Sequence, residues 1–214
     1  MSATTREELA LAFTLDTISA AVHCREVRAV IVVTDDPRVT GALTVPVQES
    51  LSVDPAEVDL ANILVVPDLP AAGLNAALRH GAAVALGRHP SSRVGAVSAD
   101  LPALRPDELG MVLRAADDHE VAMVADWHGA GTTVLLARSS AMFKPSFGVG
   151  SRARHVADGA VVLGDDMASV RVDVDTVADL HAALLLGVGA ATRAQAQRLI
   201  DFGGAAWCRQ RALP

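Results

Sequence analysis

Residues 93–113 read RVGAVSADLPALRPDELGMVL, and this stretch decides the architecture. Val94–Ser98 is a short apolar run of the kind a buried strand uses, and it leads directly into an acid, Asp100. Pro106 then stands at a first helical position, where its missing N–H is no loss. Asp107 and Glu108 behind it suit the positive end of a helix dipole. Strand, acid, helix is the punctuation of an α/β chain.

The same alternation extends outward in both directions. Residues 4–23 predict an amphipathic helix capped by Thr4 or Thr5, with Glu7 and Glu8 in its first turn. Val27–Thr34 predicts a strand closed by Asp35-Asp36-Pro37. Residues 38–60 are weakly patterned, and Ile63–Val66 predicts a further strand. Ala71–Leu86 predicts a helix. Beyond the opening stretch come a strand at Val121–Ala125, a turn at Asp126–Gly131 and a strand at Thr133–Ala137. Val170–Val174 predicts the last strand. Thr176 caps the helix after it, with Asp179 three places on, and that helix runs through Leu186; a final helix covers Thr192–Ile200. The prediction is an α/β fold with a mostly parallel sheet covered on both faces, which binds its ligands beyond the carboxyl ends of the strands.

Composition narrows the function. The 214 residues fit one domain. The chain is 51% hydrophobic, yet no apolar run approaches the ~20 residues of a membrane span, and the N-terminus has no secretory pattern. Cys24 and Cys208 lack metal-ligand spacing, so a reduced, cytoplasmic setting is expected. A net charge of −7, with 3% aromatics and no Tyr, argues against a nucleic-acid partner. The cluster Arg152-Ala153-Arg154-His155 suits one small anion, and Lys144 is the only lysine. The sequence leaves a homo-oligomer open.

Three constellations carry chemistry. Asp100 ends one strand; Asp173 and Asp175 alternate onto one face at the end of VRVDVD. Carboxylates converging from separate strands are hard oxygen ligands suited to Mg²⁺ and substrate phosphates, although Asp175 also reads as a cap for the next helix. Second, Gly129-Ala130-Gly131-Thr132 and Phe147-Gly148-Val149-Gly150-Ser151-Arg152 combine close backbone approach with hydroxyls and a guanidinium, which fits a small-anion pocket. Third, Gly73-Leu74-Asn75 opens a helix, where Asn75 reads either as a base or ribose contact or as a cap. No histidine is assigned chemistry.

The segments GLNAAL (73–78), VSADLPAL (97–104), VADWHGAGTTVLL (124–136), KPSFGVGSRARH (144–155) and VRVDVDTVADL (170–180) occur in one order. Together they resemble the phosphoenolpyruvate or 2-phospho-L-lactate guanylyltransferases of coenzyme F-420 biosynthesis. The resemblance implies a three-layer, nucleotidyltransferase-like (Rossmann-like) fold and an enzyme that joins GMP from GTP to the phosphate of a three-carbon acid, releasing pyrophosphate. It implies that Asp100, Asp173 and Asp175 are catalytic and hold Mg²⁺. Thr132, Gly148 and Ser151 would bind the acceptor, and Gly73 and Asn75 would face the nucleotide. Such enzymes begin with a strand and a Lys/Arg/Ser loop under the triphosphate, whereas MSATTREELALAFTLDTISAA corresponds to the first helix. Loss of that strand implies exposed sheet edges. The alternatives are a non-catalytic paralogue that binds a phosphorylated acid, or a nucleotidyltransferase with another acceptor.

Overall fold

The structure, a computed structural model, describes residues 2–44, 62–69 and 71–203. The predicted features at residues 45–60, Cys208 and the end of the C-terminal tail lie outside these residues. In chain order the elements are α1 (Ala3–Val22), β1 (Val30–Val33), α2 (Pro37–Thr44), β2 (Ile63–Val66), α3 (Leu74–Arg88) and β3 (Val94–Val97). They continue with α4 (Pro106–Ala115), β4 (Val121–Ala125), β5 (Thr132–Ala137), α5 (Ser151–Ala157), β6 (Val161–Leu163), α6 (Val177–Leu186) and α7 (Ala190–Gly203). No described helix is long and apolar enough to cross a membrane.

The fold is mixed α/β, and the expectation of a mostly parallel sheet is corrected. β1 and β2 pair in parallel, but the larger sheet has the order β3-β5-β4-β6, with β5 antiparallel to both neighbours and only β6 parallel to β4. The cause lies in the connection. Residues 126–131 form a hairpin turn, which joins antiparallel strands, whereas a parallel pair needs a crossover of about a dozen residues or more.

Strand alternation sorts the large sheet's side chains onto two faces. Ala122, Val124, Val134 and Leu136 pack with α1 and α4, through Ala20, Ala21, Leu109 and Val112. Met123, Ala125, Leu135 and Ala137 pack on the other face with Ala82 of α3 and Phe143. Small side chains allow this close layering, and β5 is buried at every position.

The expected strand at Val170–Val174 is replaced by a 3-10 turn, Ala168–Val170, a turn residue at Arg171 and irregular chain. Its backbone partners are scattered instead of forming one ladder. The Val170 carbonyl accepts the Thr133 hydroxyl at 2.6 Å, the Arg171 carbonyl accepts the Trp127 amide at 2.9 Å, and the Val174 amide donates to the Asp100 carbonyl at 3.1 Å. Ser2, earlier than the expected cap, closes the start of α1 by accepting the Thr5 amide, so Glu7 and Glu8 lie beyond the first turn. Helix α2 and strand β6 have no counterpart among the elements expected from the sequence.

Among the described residues β1 pairs only with β2, and β3 only with β5. A cavity of about 1570 Å³ separates these strands, lined by Val30–Val33, Val94–Val97 and apolar residues of α1 and α3. It opens onto Asp100 and Asp175.

Candidate active site

Asp100 leaves β3 on a short loop that α1 holds from beneath. The buried Thr17 hydroxyl donates to the Phe13 carbonyl within α1 at 2.9 Å, lies 3.3 Å from the Ala99 carbonyl and accepts the Leu101 amide at 3.1 Å. The Val174–Asp100 backbone bond staples this loop to the segment carrying Asp173 and Asp175. Acids distant in sequence thereby become neighbours.

Their electrostatics are uncompensated. Asp100 Oδ1 is buried with no hydrogen-bond partner. Burial, and then the Asp175 carboxylate, raise the Asp100 pKa above its ordinary value. Asp173 is pushed up to about 7, first by burial and then by the Asp100 charge, with Asp126 and Asp175 adding to it. A buried carboxylate among like charges takes up either a proton or a cation. Among the described residues no three His, Cys, Asp or Glu side chains are grouped so that together they could hold a metal ion. The orphaned oxygen suits instead an open site of the kind Mg²⁺ uses, with one or two carboxylates and the remaining positions left to water and phosphate.

Asp126, at the end of β4, shapes the next loop. Its two carboxylate oxygens accept the Ala130 and Gly131 amides, each at 2.8 Å. A Cβ on Gly131 would fall 2.5 Å from Asp126 Oδ2, so this loop requires glycine there. Arg171 fixes the loop to the acidic segment through the carbonyls of Ala125 (3.3 Å) and Asp126 (3.2 Å).

Immediately after Gly131 stands the hydroxyl cluster. Ser151 Oγ donates to Thr132 Oγ1 at 3.1 Å, and His155 Nδ1 lies 2.9 Å from the same oxygen. His155 Nε2 accepts the Ser146 amide at 2.9 Å. Burial, and next the neighbouring Arg154 charge, hold the His155 pKa down. Gly148, at φ +113°, lies in the loop before α5, and the Arg154 guanidinium gathers the carbonyls of Ser146 (2.7 Å), Gly148 (3.4 Å) and Val149 (2.6 Å). Arg154 therefore shapes the loop.

Gly73 precedes α3 as its N-cap. The Asn75 side chain is engaged at both ends with Phe147: Nδ2 donates to its carbonyl at 3.1 Å and Oδ1 accepts its amide at 2.8 Å. The segment assigned to the nucleotide is thus tied to the loop assigned to the acceptor. The structure brings Asp100, Asp173 and Asp175 together, and separately Thr132 and Ser151. Asp126 links the two groups, since it acts on Asp173 and holds the loop before Thr132.

The profile of the family described as "Guanylyl transferase CofC like" matches residues 1–202. The chain belongs to this family. A protein named phosphoenolpyruvate guanylyltransferase from Thermomonospora curvata is 48% identical over 198 residues, covering 92% of this chain and 80% of that one. Relatives of the same name from Streptomyces coelicolor (48% over 199 residues, 92% and 87% covered) and Frankia casuarinae (44% over 201 residues, 88% and 68% covered) are also similar.

For this CofC-like chain the sequence alone assigns no role to Asp126 and Arg171, and it places His155 only in the basic cluster that suits a small anion. The first two appeared only as a turn residue and part of a strand. A signal for Asp126 was present, because Asp is a turn residue whose short carboxylate accepts nearby backbone amides, and Asp126 opens the turn that ends in Gly129-Ala130-Gly131. Nothing in the sequence joined His155 to Thr132, 23 residues away.

Proposed function

We propose that this chain transfers the GMP moiety of GTP to the phosphate of phosphoenolpyruvate, releasing pyrophosphate, as a step of coenzyme F-420 biosynthesis in the cytoplasm. Its fold is read as nucleotidyltransferase-like. The single observation that carries the chemistry is the buried, unpartnered Oδ1 of the half-buried Asp100 beside Asp173, whose pKa is driven up to about 7. Such a group is costly unless it meets a cation.

In the reaction an oxygen of the acceptor phosphate attacks the α-phosphorus of GTP. The bond to the bridging oxygen breaks, and its electron pair leaves with pyrophosphate. No group on the protein is consumed, so catalysis rests on alignment and charge. Asp100, Asp173 and Asp175 would hold Mg²⁺, which offsets phosphate charge when bound. Thr132, Ser151 and the Gly148 loop would grip the acceptor, with Gly73 and Asn75 on the nucleotide side. The name shared by relatives 44–48% identical supports phosphoenolpyruvate over 2-phospho-L-lactate.

The test is a pyrophosphate-release assay with GTP and Mg²⁺, adding each acceptor separately. Release should require GTP and acceptor together and be faster with phosphoenolpyruvate. Binding of phosphoenolpyruvate without any release would establish the non-catalytic reading instead.

A further inference from the structure

We infer that His155 is a positioning residue that sets the direction of the acceptor-site hydroxyls, leaving the Thr132 proton free to donate to an oxyanion of the phosphorylated acid. The inference rests on Thr132 and Ser151 forming that site.

Counting protons fixes the direction of each bond. Ser146 presents a backbone N–H to His155 Nε2, at 2.9 Å, so Nε2 must be the bare, accepting nitrogen. The single ring proton of a neutral imidazole then lies on Nδ1, which faces Thr132 Oγ1 at 2.9 Å and donates to it. Ser151 donates to the same oxygen. A threonine hydroxyl has two lone pairs and one proton, and both lone pairs are now occupied. Among the described residues its proton has no acceptor. It is left for a ligand, and only a ligand group that accepts, such as phosphate or carboxylate, satisfies it.

The surroundings hold the imidazole in this state. His155 is 1% exposed, and the Phe147 ring meets its edge at 5.3 Å between centroids. The charged groups acting on it are Arg154 and Asp158, both from its own end of the chain. Protonation at Nε2 would set two donors, the new N–H and the Ser146 amide, against each other. Tautomer, ring orientation and hydroxyl direction are therefore set by one backbone contact, and a loop residue, Ser146, orders a strand residue, Thr132.

Two substitutions separate the two ends of the ring. His155→Asn places an amide N–H near the Nδ1 position and loses the Ser146 contact. His155→Gln keeps an acceptor for Ser146 and loses the donor to Thr132. In the assay above, His155→Gln should raise the KM for phosphoenolpyruvate about tenfold or more with the KM for GTP changed less than about twofold. His155→Asn should raise the acceptor KM less than about threefold, even where its thermal stability falls further. Equal effects of both variants on both substrates, or effects that follow thermal stability alone, would overturn the proposal.

A second readout needs no turnover. Nitrogen NMR of ¹⁵N-histidine-labelled protein should show His155 as the neutral Nδ1–H tautomer from pH 6 to 8. An Nε2–H tautomer, or titration near the ordinary histidine value, would contradict the inference. Absence of activity in the unsubstituted protein would count against the guanylyltransferase reading alone, and the nitrogen spectrum would still decide the role of His155.

Discussion

Asp173 sits where burial and three other carboxylates all oppose its charge. Its pKa of about 7 lies above the ordinary 3.8, so the folded protein holds its proton more tightly than the unfolded chain does. The stability contribution is therefore fully present below about pH 4 and is lost as pH rises through about 7. A tenfold difference in proton affinity is worth about 1.4 kcal/mol, so the loss without metal is on the order of 2–4 kcal/mol. Urea unfolding at pH 5 and pH 8 should show this loss, and Mg²⁺ should restore stability at pH 8 but not at pH 5. Asp173→Asn should remove the larger part of the pH dependence, leaving what the raised Asp100 contributes, and should remove the Mg²⁺ effect while abolishing pyrophosphate release. A variant that unfolds at every pH would mean that the acid is structural.

Gly131 supplies a second prediction at the same scale. A methyl group there collides with the Asp126 carboxylate and displaces it from the Ala130 and Gly131 amides. Gly131→Ala should cost roughly 1–3 kcal/mol, the penalty for unpairing buried polar groups, and should weaken phosphoenolpyruvate binding measured by calorimetry.

Helix boundaries written in local chemistry could be read from the sequence. Thr176 accepts the Asp179 amide, and Asp179 reciprocates at the Thr176 amide (2.8 Å), forming the box that opens α6. Thr176→Ala should lower stability by about 1 kcal/mol, seen as a drop of a few degrees in Tm. The cap of α7 could not be read. Its amides at Ala191 (3.0 Å) and Thr192 (2.8 Å) donate to Asp16 in the middle of α1, 175 and 176 positions away. The alternation of VRVDVD was visible, and Val172 is indeed buried, but alternation shows which side chains face inward without showing whether a neighbouring strand is present. For the same reason the acids could be nominated one by one, whereas the contact of Val174 with the Asp100 carbonyl emerges only from tertiary packing.

Across the whole molecule, protection is uneven. β4 and β5 lie inside the larger sheet, whereas β1 and β2 form a two-stranded ribbon across the cavity from β3. Hydrogen exchange should therefore be slowest at Val124 and Leu135 and faster by orders of magnitude at Val30–Val33, since a two-stranded pair is only marginally stable by itself. Uniform exchange would mean that the two sheets behave as one. The acidic cluster sits where the cavity opens onto Asp100 and Asp175, so the loops that meet there come from the better protected sheet and from the segment before α6.

The central claim is that Asp100 and the 173–175 segment gather around a divalent cation. Anomalous diffraction from crystals grown with Mn²⁺ in place of Mg²⁺ tests it most directly. The account predicts a peak at bonding distance from the carboxylates of Asp100 and of Asp173 or Asp175. A peak elsewhere, or none at saturating Mn²⁺ with GTP bound, would contradict it.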